Sequence, residues 1–338
     1  MSKMRAMVVP APGKPLRLEE RDLPEPARHE VRIRVQACGV CHSDVLTVEG
    51  QVHGLSYPLI PGHEVIGVIE ALGPEVEGWK VGARVGVGWF GGSCGYCRHC
   101  RRGNAFACEH IHSTTGVTRD GGYATHMLAL ASALASIPES LDPVQSAPLL
   151  CAGVTTFNAL RNCGATPGDL VAIHGVGGLG HLGIQYAARQ GFRTVAVNRG
   201  RDKEALARTL GACDYIDSEA GDPAQALQAM GGAKAIIATV TSAAAMQAIS
   251  RGLGVNGTMM VIGAVGALTV DSLDLLGKRA AVRGWYSGTA VDSEDTLLFS
   301  QLNGITSMNE IFPLEQAQVA YDRMRSGKAR FRVVLKMD

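Results

Sequence analysis

A glycine-rich turn between a strand-like and a helix-like segment restricts the fold of this chain more than any other feature. The turn reads Gly175-Val176-Gly177-Gly178-Leu179-Gly180; the apolar run 170–174 precedes it, and a helical pattern over 179–190 follows. In a G-x-G-x-x-G turn the first glycine permits a tight bend and the second lets the backbone approach a pyrophosphate. The third lets the helix pack closely on the strand, and the helix N-terminus adds N–H donors. These residues therefore predict a dinucleotide-binding turn, with an ordinary glycine turn as the alternative.

Strand-like and helix-like patterns alternate around this turn. Strands are expected at residues 170–174, 194–197, 236–240 and 258–262, and helices at 179–190, 202–210 and 243–250. Strands that alternate with helices of about ten residues indicate βαβ units and a parallel sheet. We therefore predict an α/β domain with a doubly wound parallel sheet over residues 151–284.

The residues on both sides of that domain follow another pattern. Residues 1–150 contain short strand-type segments, such as 31–35 and 65–72, separated by frequent glycine and proline. The apolar segment 331–336 is expected to form a strand that rejoins them. Because 338 residues suffice for two domains with separate cores, we predict a second, β-rich domain made of residues 1–150 and 285–338.

The charge balance argues against polyanionic partners. The 32 Lys and Arg residues nearly cancel the 31 Asp and Glu residues, which leaves a formal net charge of +1. Such a chain has no electrostatic reason to bind nucleic acid or an anionic membrane. The N-terminal segment lacks the apolar run of a signal peptide, and no run approaches the roughly 20 apolar residues of a membrane span. We therefore expect a cytoplasmic protein with a small-molecule ligand, and neither nucleic acid nor membrane as a partner.

The end of the second strand in a dinucleotide-binding domain distinguishes NAD from NADP. An acidic residue there binds the ribose 2′-hydroxyl of NAD, whereas a cation accommodates the 2′-phosphate of NADP. Here the strand 194–197 leads into Asn198 and Arg199, with Arg201 and Lys203 close behind. Because a guanidinium grips phosphate through two hydrogen bonds, Asn198, Arg199 and Lys203 favour NADP over NAD. The alternative is that these cations only open a surface helix and that NAD binds.

Four cysteines lie within fifteen residues, at Cys94, Cys97, Cys100 and Cys108. Disulfides are rare in a reducing cytosol, and clustered thiols in a large chain indicate a metal. Four thiolates complete the tetrahedral shell of a structural zinc ion and leave no position for a substrate. We predict a structural zinc site, with an iron–sulfur cluster as the rival.

A second group of metal-binding residue types is dispersed along the chain. Cys41-His42-Ser43-Asp44 follows a strand, Gly62-His63-Glu64 follows a proline turn, and Cys151 comes at the start of the dinucleotide-binding domain. A catalytic zinc requires three protein ligands and one open position, and Cys41, His63 and Cys151 supply such a set. Taken alone, single cysteines and histidines of this kind are more often packing residues.

These segments, in this order, resemble the zinc-dependent alcohol dehydrogenases of the medium-chain dehydrogenase/reductase superfamily. The resemblance covers nearly the whole chain: Cys38-Gly39-Val40-Cys41-His42-Ser43-Asp44, then Gly62-His63-Glu64, the four cysteines, Cys151-Ala152-Gly153-Val154-Thr155-Thr156 and the glycine turn. It implies a Rossmann domain over 151–284 and a GroES-like catalytic domain in the rest. It also implies two zinc ions per chain, one catalytic and one structural, and a homo-oligomer that is a dimer or a tetramer.

The resemblance also implies roles for individual residues. Cys41, His63 and Cys151 correspond to the ligands of the catalytic zinc. Glu64 corresponds to a carboxylate that approaches the metal during ligand exchange, and Asp44 to the partner that orients His63. Ser43 corresponds to the hydroxyl of the proton relay. His42 corresponds to a contact to the cofactor phosphate, Thr155 to a contact to the nicotinamide, and Trp89 to a wall of the substrate pocket.

The implied reaction is the reversible oxidation of a primary or secondary alcohol to its aldehyde or ketone. A zinc-bound alkoxide gives its hydride to NAD(P). Two positions depart from the best-known members: Leu46 replaces a relay histidine, and Val52 stands where some members carry a tryptophan. They predict an altered proton exit and a roomier pocket, which favours larger alcohols and aldehydes, including aromatic ones. Polyol dehydrogenases of the same fold often use a glutamate in place of Cys151, so this cysteine argues against them.

Overall fold

The chain divides into two compact units. The computed structural model describes residues 2–337. Unit 1 runs up to Val154 and resumes at Ser287, and unit 2 comprises Thr155–Tyr286. Cys151 therefore belongs to unit 1, and each unit contains its own large sheet.

Strands occur throughout both units. In chain order they are β1 (Lys3–Val8), β2 (Arg17–Asp22), β3 (Glu30–Val40), β4 (Val65–Leu72), β5 (Arg84–Val87), β6 (His126–Leu130), β7 (Leu134–Ser136), β8 (Leu170–His174), β9 (Arg193–Asn198), β10 (Asp214–Asp217), β11 (Ala233–Ala238), β12 (Leu253–Val261), β13 (Ala281–Gly284), β14 (Asn309–Pro313) and β15 (Arg332–Lys336).

The longer helices lie in unit 2 and toward the C-terminus. The helices are α1 (Val45–Val48), α2 (Arg98–Arg101), α3 (Pro143–Ser146), α4 (Ala152–Arg161), α5 (Gly180–Arg189), α6 (Glu204–Thr209), α7 (Pro223–Ala229), α8 (Ala243–Ser250), α9 (Ser272–Lys278), α10 (Ala290–Asn303) and α11 (Ala317–Arg325). Short 3₁₀ turns follow β3 at His42–Asp44 and precede Cys151 at Ala147–Leu150. Among the described residues, no helix has both the length and the apolar character needed to cross a membrane.

A seven-stranded sheet forms the centre of unit 1. Its strand order is β14-β15-β3-β4-β5-β7, and β6 pairs with the N-terminal half of β3. Neighbouring strands are antiparallel except for the parallel pair of β14 and β15. Alternate residues of β3, among them Val31, Ile33 and Val35, are buried, because successive side chains of a strand point to opposite faces and one face packs on the core.

Unit 2 contains a six-stranded parallel sheet in the order β10-β9-β8-β11-β12-β13. Counted from its first strand this order is 3-2-1-4-5-6, which is that of the Rossmann fold. Every residue of the central strand β8 is buried, as expected for a parallel strand covered on both faces. The winding reverses between β8 and β11, so the crevice that binds ligands in such sheets lies at their carboxyl ends. The predicted combination of a doubly wound α/β domain and a β-rich domain is confirmed.

Several element bounds agree with the sequence patterns and others do not. β4, β8 and α8 begin and end at the predicted residues. β11 begins at Ala233 rather than at 236, since Lys234 interrupts its apolar pattern. Helix α10 was not predicted, although Thr289 and Asp292 form a capping box at its start, which is a recognisable helix-start pattern.

The turn between β8 and α5 has a backbone geometry that only its glycines permit. Gly175 has a φ of +100°, a conformation that residues with a Cβ atom rarely adopt. A Cβ atom on Gly180 would lie 1.7 Å from the carbonyl oxygen of Gly175, whereas one on Gly177 would have nothing within 4 Å. Gly180 is therefore required for the packing of the turn, and Gly177 leaves open space beside it.

Replacing Gly180 by alanine is expected to destabilise unit 2. The added methyl group must displace the backbone of Gly175, and overpacking of this kind costs roughly 1–3 kcal/mol or more. Urea denaturation followed by circular dichroism should give Gly180→Ala a lower midpoint than the wild type. Gly177→Ala is the matched control and should stay within about 0.5 kcal/mol. Equal losses in both variants would contradict the packing role of Gly180.

Candidate active site and metal centres

The strand ends of unit 1 bring dispersed metal-binding residues together. Antiparallel pairing aligns the end of β3 with the start of β4, and the start of β4 with the end of β5. Cys41 directly follows β3, while His63 and Glu64 directly precede β4. The backbone N–H of Gly39 donates to the carbonyl of Glu64 over 3.0 Å, which extends the pairing to the residues of the site.

Cys151 completes a cluster of four residues at this edge of the sheet. It follows the 3₁₀ turn that precedes α4, and its Sγ lies 3.8 Å from Cys41 Sγ. The candidate ligand atoms of Cys41, His63, Glu64 and Cys151 all lie within 4.8 Å of one another. The structure thus brings together the residues that the sequence suggested as catalytic zinc ligands and Glu64, the carboxylate that the resemblance places near the metal.

The geometry of this cluster fits a zinc ion. Two sulfur atoms bound to one tetrahedral zinc at about 2.3 Å stand about 3.8 Å apart, which matches the separation of the Cys41 and Cys151 sulfur atoms. His63 Nε2 and Glu64 Oε2 are buried and make no hydrogen bond within residues 2–337. Buried polar atoms without a partner are rare in folded proteins, and coordination of a metal would satisfy both.

Cys41 has the electrostatic surroundings of a thiolate. A hydrogen bond from the Cys151 thiol lowers the pKa of the Cys41 thiol well below its ordinary value, and the positive charge of Arg332 lowers it further. Burial of the Cys41 side chain opposes this shift without reversing it. Since the thiolate is the form that binds zinc, Cys41 is in the protonation state that a metal requires, whereas the same hydrogen bond raises the pKa of the Cys151 thiol.

A buried ion pair that the sequence did not reveal lies beside the cluster. Arg332, the first residue of β15, donates from Nη2 to Glu64 Oε1, and the two side chains are only 6% and 0% exposed. β15 pairs with β3 so that Val333 lies opposite Val40, which brings Arg332 next to Cys41. The one available sequence signal was an arginine within the otherwise apolar run 331–335.

The two charges of this pair influence each other strongly. Burial raises the pKa of the Glu64 carboxyl to about 8, although the guanidinium of Arg332 opposes that shift. A buried carboxylate is costly unless it is paired and hydrogen-bonded. Arg332 is therefore the group that most favours the charged form of Glu64 against its burial in unit 1.

Asp44 contacts the ring of His63 in the same buried region. Asp44 Oδ1 lies 3.1 Å from His63 Nδ1. Asp44 Oδ2 accepts hydrogen bonds from the backbone N–H of Cys41 and from the hydroxyl of Tyr123, each at 2.8 Å. A carboxylate at Nδ1 favours the tautomer that leaves Nε2 to bind a metal. Tyr123 was not recognised in the sequence, because nothing in the segment around it marks a functional residue.

The other predicted residues of unit 1 lie on neighbouring segments. His42 is exposed and Ser43 is half-buried, both in the 3₁₀ turn that follows Cys41 directly. Trp89 follows β5, and its ring meets that of His63 edge-on with the centroids 4.9 Å apart. Leu46, in α1, and Val52, in the loop beyond it, are half-buried. Trp89 thus borders a candidate metal ligand directly.

The four clustered cysteines fold into a separate lobe of unit 1 around α2. Their ligand atoms lie within 4.8 Å of one another, and the sulfur atoms of Cys94 and Cys100 are 4.0 Å apart. Backbone N–H groups donate to these sulfur atoms over 3.3–3.5 Å, from Cys94 to Cys108, from Cys97 to Cys94, from Cys100 to Cys97 and from Ile111 to Cys108. Such donors stabilise thiolates and are typical surroundings of metal-bound cysteines.

The acidities of two of these thiols, Cys97 and Cys108, agree with a metal site, whereas burial raises the pKa of the Cys100 thiol to about 11. Burial raises the pKa of the Cys108 thiol, but N–H groups, first that of Cys94, outweigh it and bring the pKa to about 6. The N–H groups of Cys100 and Glu109 lower the pKa of the Cys97 thiol. Four sulfur donors leave no open position for a substrate, so the chemistry of this set fits a structural zinc.

In unit 2, the predicted cofactor residues contact the glycine turn. Asn198 ends β9, and its Oδ1 accepts a hydrogen bond from the N–H of Val176 at 3.2 Å. Lys203 Nζ donates to the carbonyl of Val176 at 2.9 Å. Both side chains therefore lie against the turn formed by Gly175, Gly177, Gly178, Leu179 and Gly180. Thr155, the first residue of unit 2, is buried within α4.

The two arginines that follow Asn198 have different surroundings. Arg201 pairs with Glu204 at 2.6 Å. Arg199 is exposed, and no acidic side chain in the described part of the chain pairs with it. Of the two, Arg199 is therefore the cation whose hydrogen-bond donors are available to a ligand.

Known protein families match both units. The sequence profile of the alcohol dehydrogenase GroES-like domain matches residues 27–139, and that of the zinc-binding dehydrogenase matches residues 178–301. Alcohol dehydrogenase notN from Aspergillus sp. (strain MF297-2) is 44% identical over 328 residues, which cover 96% of this chain and 96% of that protein.

Solved structures share the fold over its whole length. Cinnamyl alcohol dehydrogenase SbCAD4 from Sorghum bicolor aligns with a TM-score of 0.85 and 29% identity, over 99% of this chain and 98% of its own. The cobalt- and zinc-bound thermostable alcohol dehydrogenase from Pyrobaculum aerophilum aligns with a TM-score of 0.87 and 27% identity, over 99% and 100%. The chain belongs to the zinc-dependent, medium-chain alcohol dehydrogenase family, as its motifs predicted.

Loss of Arg332 alone is expected to destabilise unit 1 more than loss of both members of the ion pair. Arg332→Met leaves the charge of Glu64 buried without its partner, which costs about 3–5 kcal/mol. The double variant Glu64→Gln/Arg332→Met carries neither charge and should recover much of this loss. Urea denaturation of the zinc-loaded proteins measures the difference. A single variant as stable as the wild type would show that the pair does not neutralise a buried charge.

Proposed function

We propose that this chain catalyses reversible hydride transfer between an alcohol and its carbonyl counterpart, with NAD(P) as the hydride carrier and zinc as the catalytic metal. The observation that carries the proposal is the cluster of Cys41, His63, Cys151 and Glu64, whose ligand atoms lie within 4.8 Å in a member of the zinc-dependent family. Two thiolates and an imidazole leave one position open to a substrate oxygen, which is the arrangement of a catalytic zinc. The four-cysteine lobe is assigned a second, structural zinc.

The residues of the site have separate roles in binding the metal and in offsetting the charges around it. A zinc ion bound there supplies a Lewis acid that polarises the substrate oxygen. Asp44 holds the ring of His63 from its Nδ1 side, with 3.1 Å between the two atoms. Glu64 keeps Oε2 without a hydrogen-bond partner within residues 2–337, so it is suited to approach the metal when ligands exchange. Arg332 offsets the negative charge of Glu64 both when Glu64 lies away from the metal and when it approaches it.

We assign proton transfer to the hydroxyl of Ser43. Ser43 follows the metal ligand Cys41 by two residues and is half-buried in the 3₁₀ turn, and a hydroxyl can both accept and donate a proton. Leu46 has no titratable group to pass that proton on. The exposed imidazole of His42 can both accept and donate a proton, so we propose that the proton leaves by way of His42.

We propose larger alcohols and aldehydes, including aromatic ones, as substrates. The ring of Trp89, edge-on to His63, supplies an aromatic wall beside the metal ligand, and aromatic substrates pack well against such a wall. Val52 and Leu46 are aliphatic and half-buried. The structural relative SbCAD4 bears the name of a cinnamyl alcohol dehydrogenase, which supports an aromatic substrate.

For the cofactor we propose NADP in preference to NAD. Asn198 stands at the end of β9 where NAD-binding domains place an acid. The amide neither repels a 2′-phosphate nor chelates two ribose hydroxyls as a carboxylate does. The guanidinium of Arg199, with which no acidic side chain of residues 2–337 pairs, and the ammonium of Lys203 then supply the charge that a phosphate requires.

We further propose that the chain forms a homo-oligomer, a dimer or a tetramer. β13 is a terminal strand of the unit 2 sheet, so one of its sides is available for pairing with another strand. The helix next to it in the chain, α9, exposes Leu273 by 75% and Leu276 by 74%. A second copy of the chain that extends the sheet would pair the free side of β13 and bury the exposed side chains of Leu273 and Leu276.

Removal of Cys41 tests the catalytic metal. Cys41→Ala should abolish turnover and lower the zinc content from two ions to one per chain, because the four-cysteine lobe keeps its own ion. Turnover with a panel of aromatic and aliphatic aldehydes, together with metal analysis, measures both effects. The control is Cys163→Ala, which removes a buried thiol from unit 2 and should change neither. Substantial turnover in Cys41→Ala would refute the assignment.

The arginines after β9 allow a matched test of cofactor choice. Arg199→Asp should weaken NADPH more than NADH, by about 10-fold or more in KM, because the new carboxylate repels the 2′-phosphate. Arg201→Asp adds the same charge at a residue already paired with Glu204, and its effect should be smaller. Steady-state kinetics with both cofactors gives the ratio. Equal weakening of NADPH and NADH in Arg199→Asp would mean that Arg199 does not meet the 2′-phosphate.

A further inference from the structure

The segment that leads into β6 supports the backbone on which His63 stands. Backbone N–H groups of Gly121, Gly122 and Tyr123 donate to the carbonyls of Ile60, Gly62 and Pro61, at 2.7, 3.0 and 3.0 Å respectively. These bonds fix the residues immediately before a proposed metal ligand. The support comes from a part of the chain some sixty residues away in sequence.

The ring of Tyr123 fills the space beside that backbone. Tyr123 is completely buried. Gly62 has a φ of +103°, and a Cβ atom there would lie 2.4 Å from Cδ1 of the Tyr123 ring. The ring therefore packs directly on the peptide that precedes His63, and Gly62 has to be a glycine to make room for it.

The hydroxyl of Tyr123 reaches the carboxylate that orients His63. It donates to Asp44 Oδ2 at 2.8 Å, and the N–H of Cys41 donates to the same oxygen at 2.8 Å. The other oxygen, Oδ1, is 3.1 Å from His63 Nδ1. Burial raises the pKa of the Tyr123 hydroxyl well above its ordinary value, so it remains a donor. With two donors on one oxygen, the plane of the carboxylate is fixed while its second oxygen faces the imidazole.

We propose that Tyr123 is a positioning residue for the catalytic metal: through Asp44 and through the backbone at Gly62, it holds His63 in the orientation that presents Nε2 to zinc. This inference rests on the proposed catalytic zinc site. Without the hydroxyl, the N–H of Cys41 is the one hydrogen-bond donor to Asp44 that remains within residues 2–337. In a buried site, water does not replace the lost hydrogen bond to a charged acceptor. The carboxylate of Asp44 can then rotate more freely, and the imidazole of His63 beside it can do so as well.

Tyr123→Phe isolates the hydroxyl, because the ring and its packing on Gly62 stay. Loss of an outer partner of a metal ligand commonly costs about 10- to 100-fold in metal affinity. Since Tyr123 stands one hydrogen bond further out, we expect zinc to leave the catalytic site about 5- to 10-fold faster than in the wild type. Tyr186→Phe, which alters an equally buried tyrosine in unit 2, is the matched control.

Release of zinc to a chromophoric chelator resolves the two sites of one protein. Cys41→Ala identifies the phase that belongs to the four-cysteine lobe, because the catalytic phase is missing from it. In Tyr123→Phe only the catalytic phase should accelerate, and the lobe should release its zinc at the wild-type rate. The absorption spectrum of the Co²⁺-substituted catalytic site gives a second reading and should change in Tyr123→Phe alone.

The possible outcomes separate this inference from the proposed function. Wild-type protein that holds zinc only in the lobe would remove the proposed function and this inference together. Two zinc ions in the wild type, with unchanged catalytic release and an unchanged cobalt spectrum in Tyr123→Phe, would overturn the role of Tyr123 and leave the proposed function standing. Acceleration of both phases, or an equal effect in Tyr186→Phe, would likewise overturn it, because a general loss of packing would explain the result.

Discussion

The register between β3 and β4 is the constraint on which the candidate site depends. With Cys38 opposite Val65, the residues beyond β3 and those before β4 meet at one sheet edge, and Cys41 comes within reach of His63. A slip of one residue would turn the alternating side chains of a strand to the opposite face. The pairing does shift by one residue between Arg32 and Ile33, but it shifts back between Val35 and Ala37, and Val31, Ile33 and Val35 all stay buried. The register restored at Ala37 and Cys38 thus determines where the ligands of the proposed metal lie.

The charges of the site explain why a divalent cation suits it. When Cys41 and Cys151 are thiolates, they add to the carboxylates of Asp44 and Glu64 in a region with almost no access to water. With all four of these groups deprotonated and His63 neutral, as metal binding requires of its ligands, Arg332 offers a single positive charge against them. Uncompensated buried charge is among the most costly features of a protein interior. A dipositive ion bound between the thiolates and His63 would remove most of the imbalance, so metal binding and the stability of unit 1 should be linked.

Features defined by neighbouring residues could be predicted from the sequence. Features that depend on contacts between distant segments could not. The glycine turn, the four cysteines and the strands β4 and β8 were predictable because each is defined by neighbouring residues. Cys41, His63 and Cys151 were plain packing candidates until their order along the chain was compared with a family. Arg332 and Tyr123 were missed because their roles arise from partners 268 and 79 residues away, and no periodicity in the sequence marks such contacts. Arg199 and Arg201 were also indistinguishable as candidate phosphate ligands in the sequence. The structure separates them because Arg201 pairs with Glu204.

The spacing of the donors in the two metal centres has a consequence for how the protein is built. The four cysteines of the lobe lie within one short stretch of chain, so they can gather around an ion as soon as that stretch leaves the ribosome. The other centre needs Cys151 beside Cys41, 110 residues earlier, and Glu64 gains its counter-charge only when β15 pairs with β3. Closing so long a loop is an entropic cost that only the folded unit repays. If both proposed zinc ions bind, the lobe would therefore be able to take up its ion well before the second centre exists, and metal bound at Cys41 and Cys151 would report that unit 1 has finished folding.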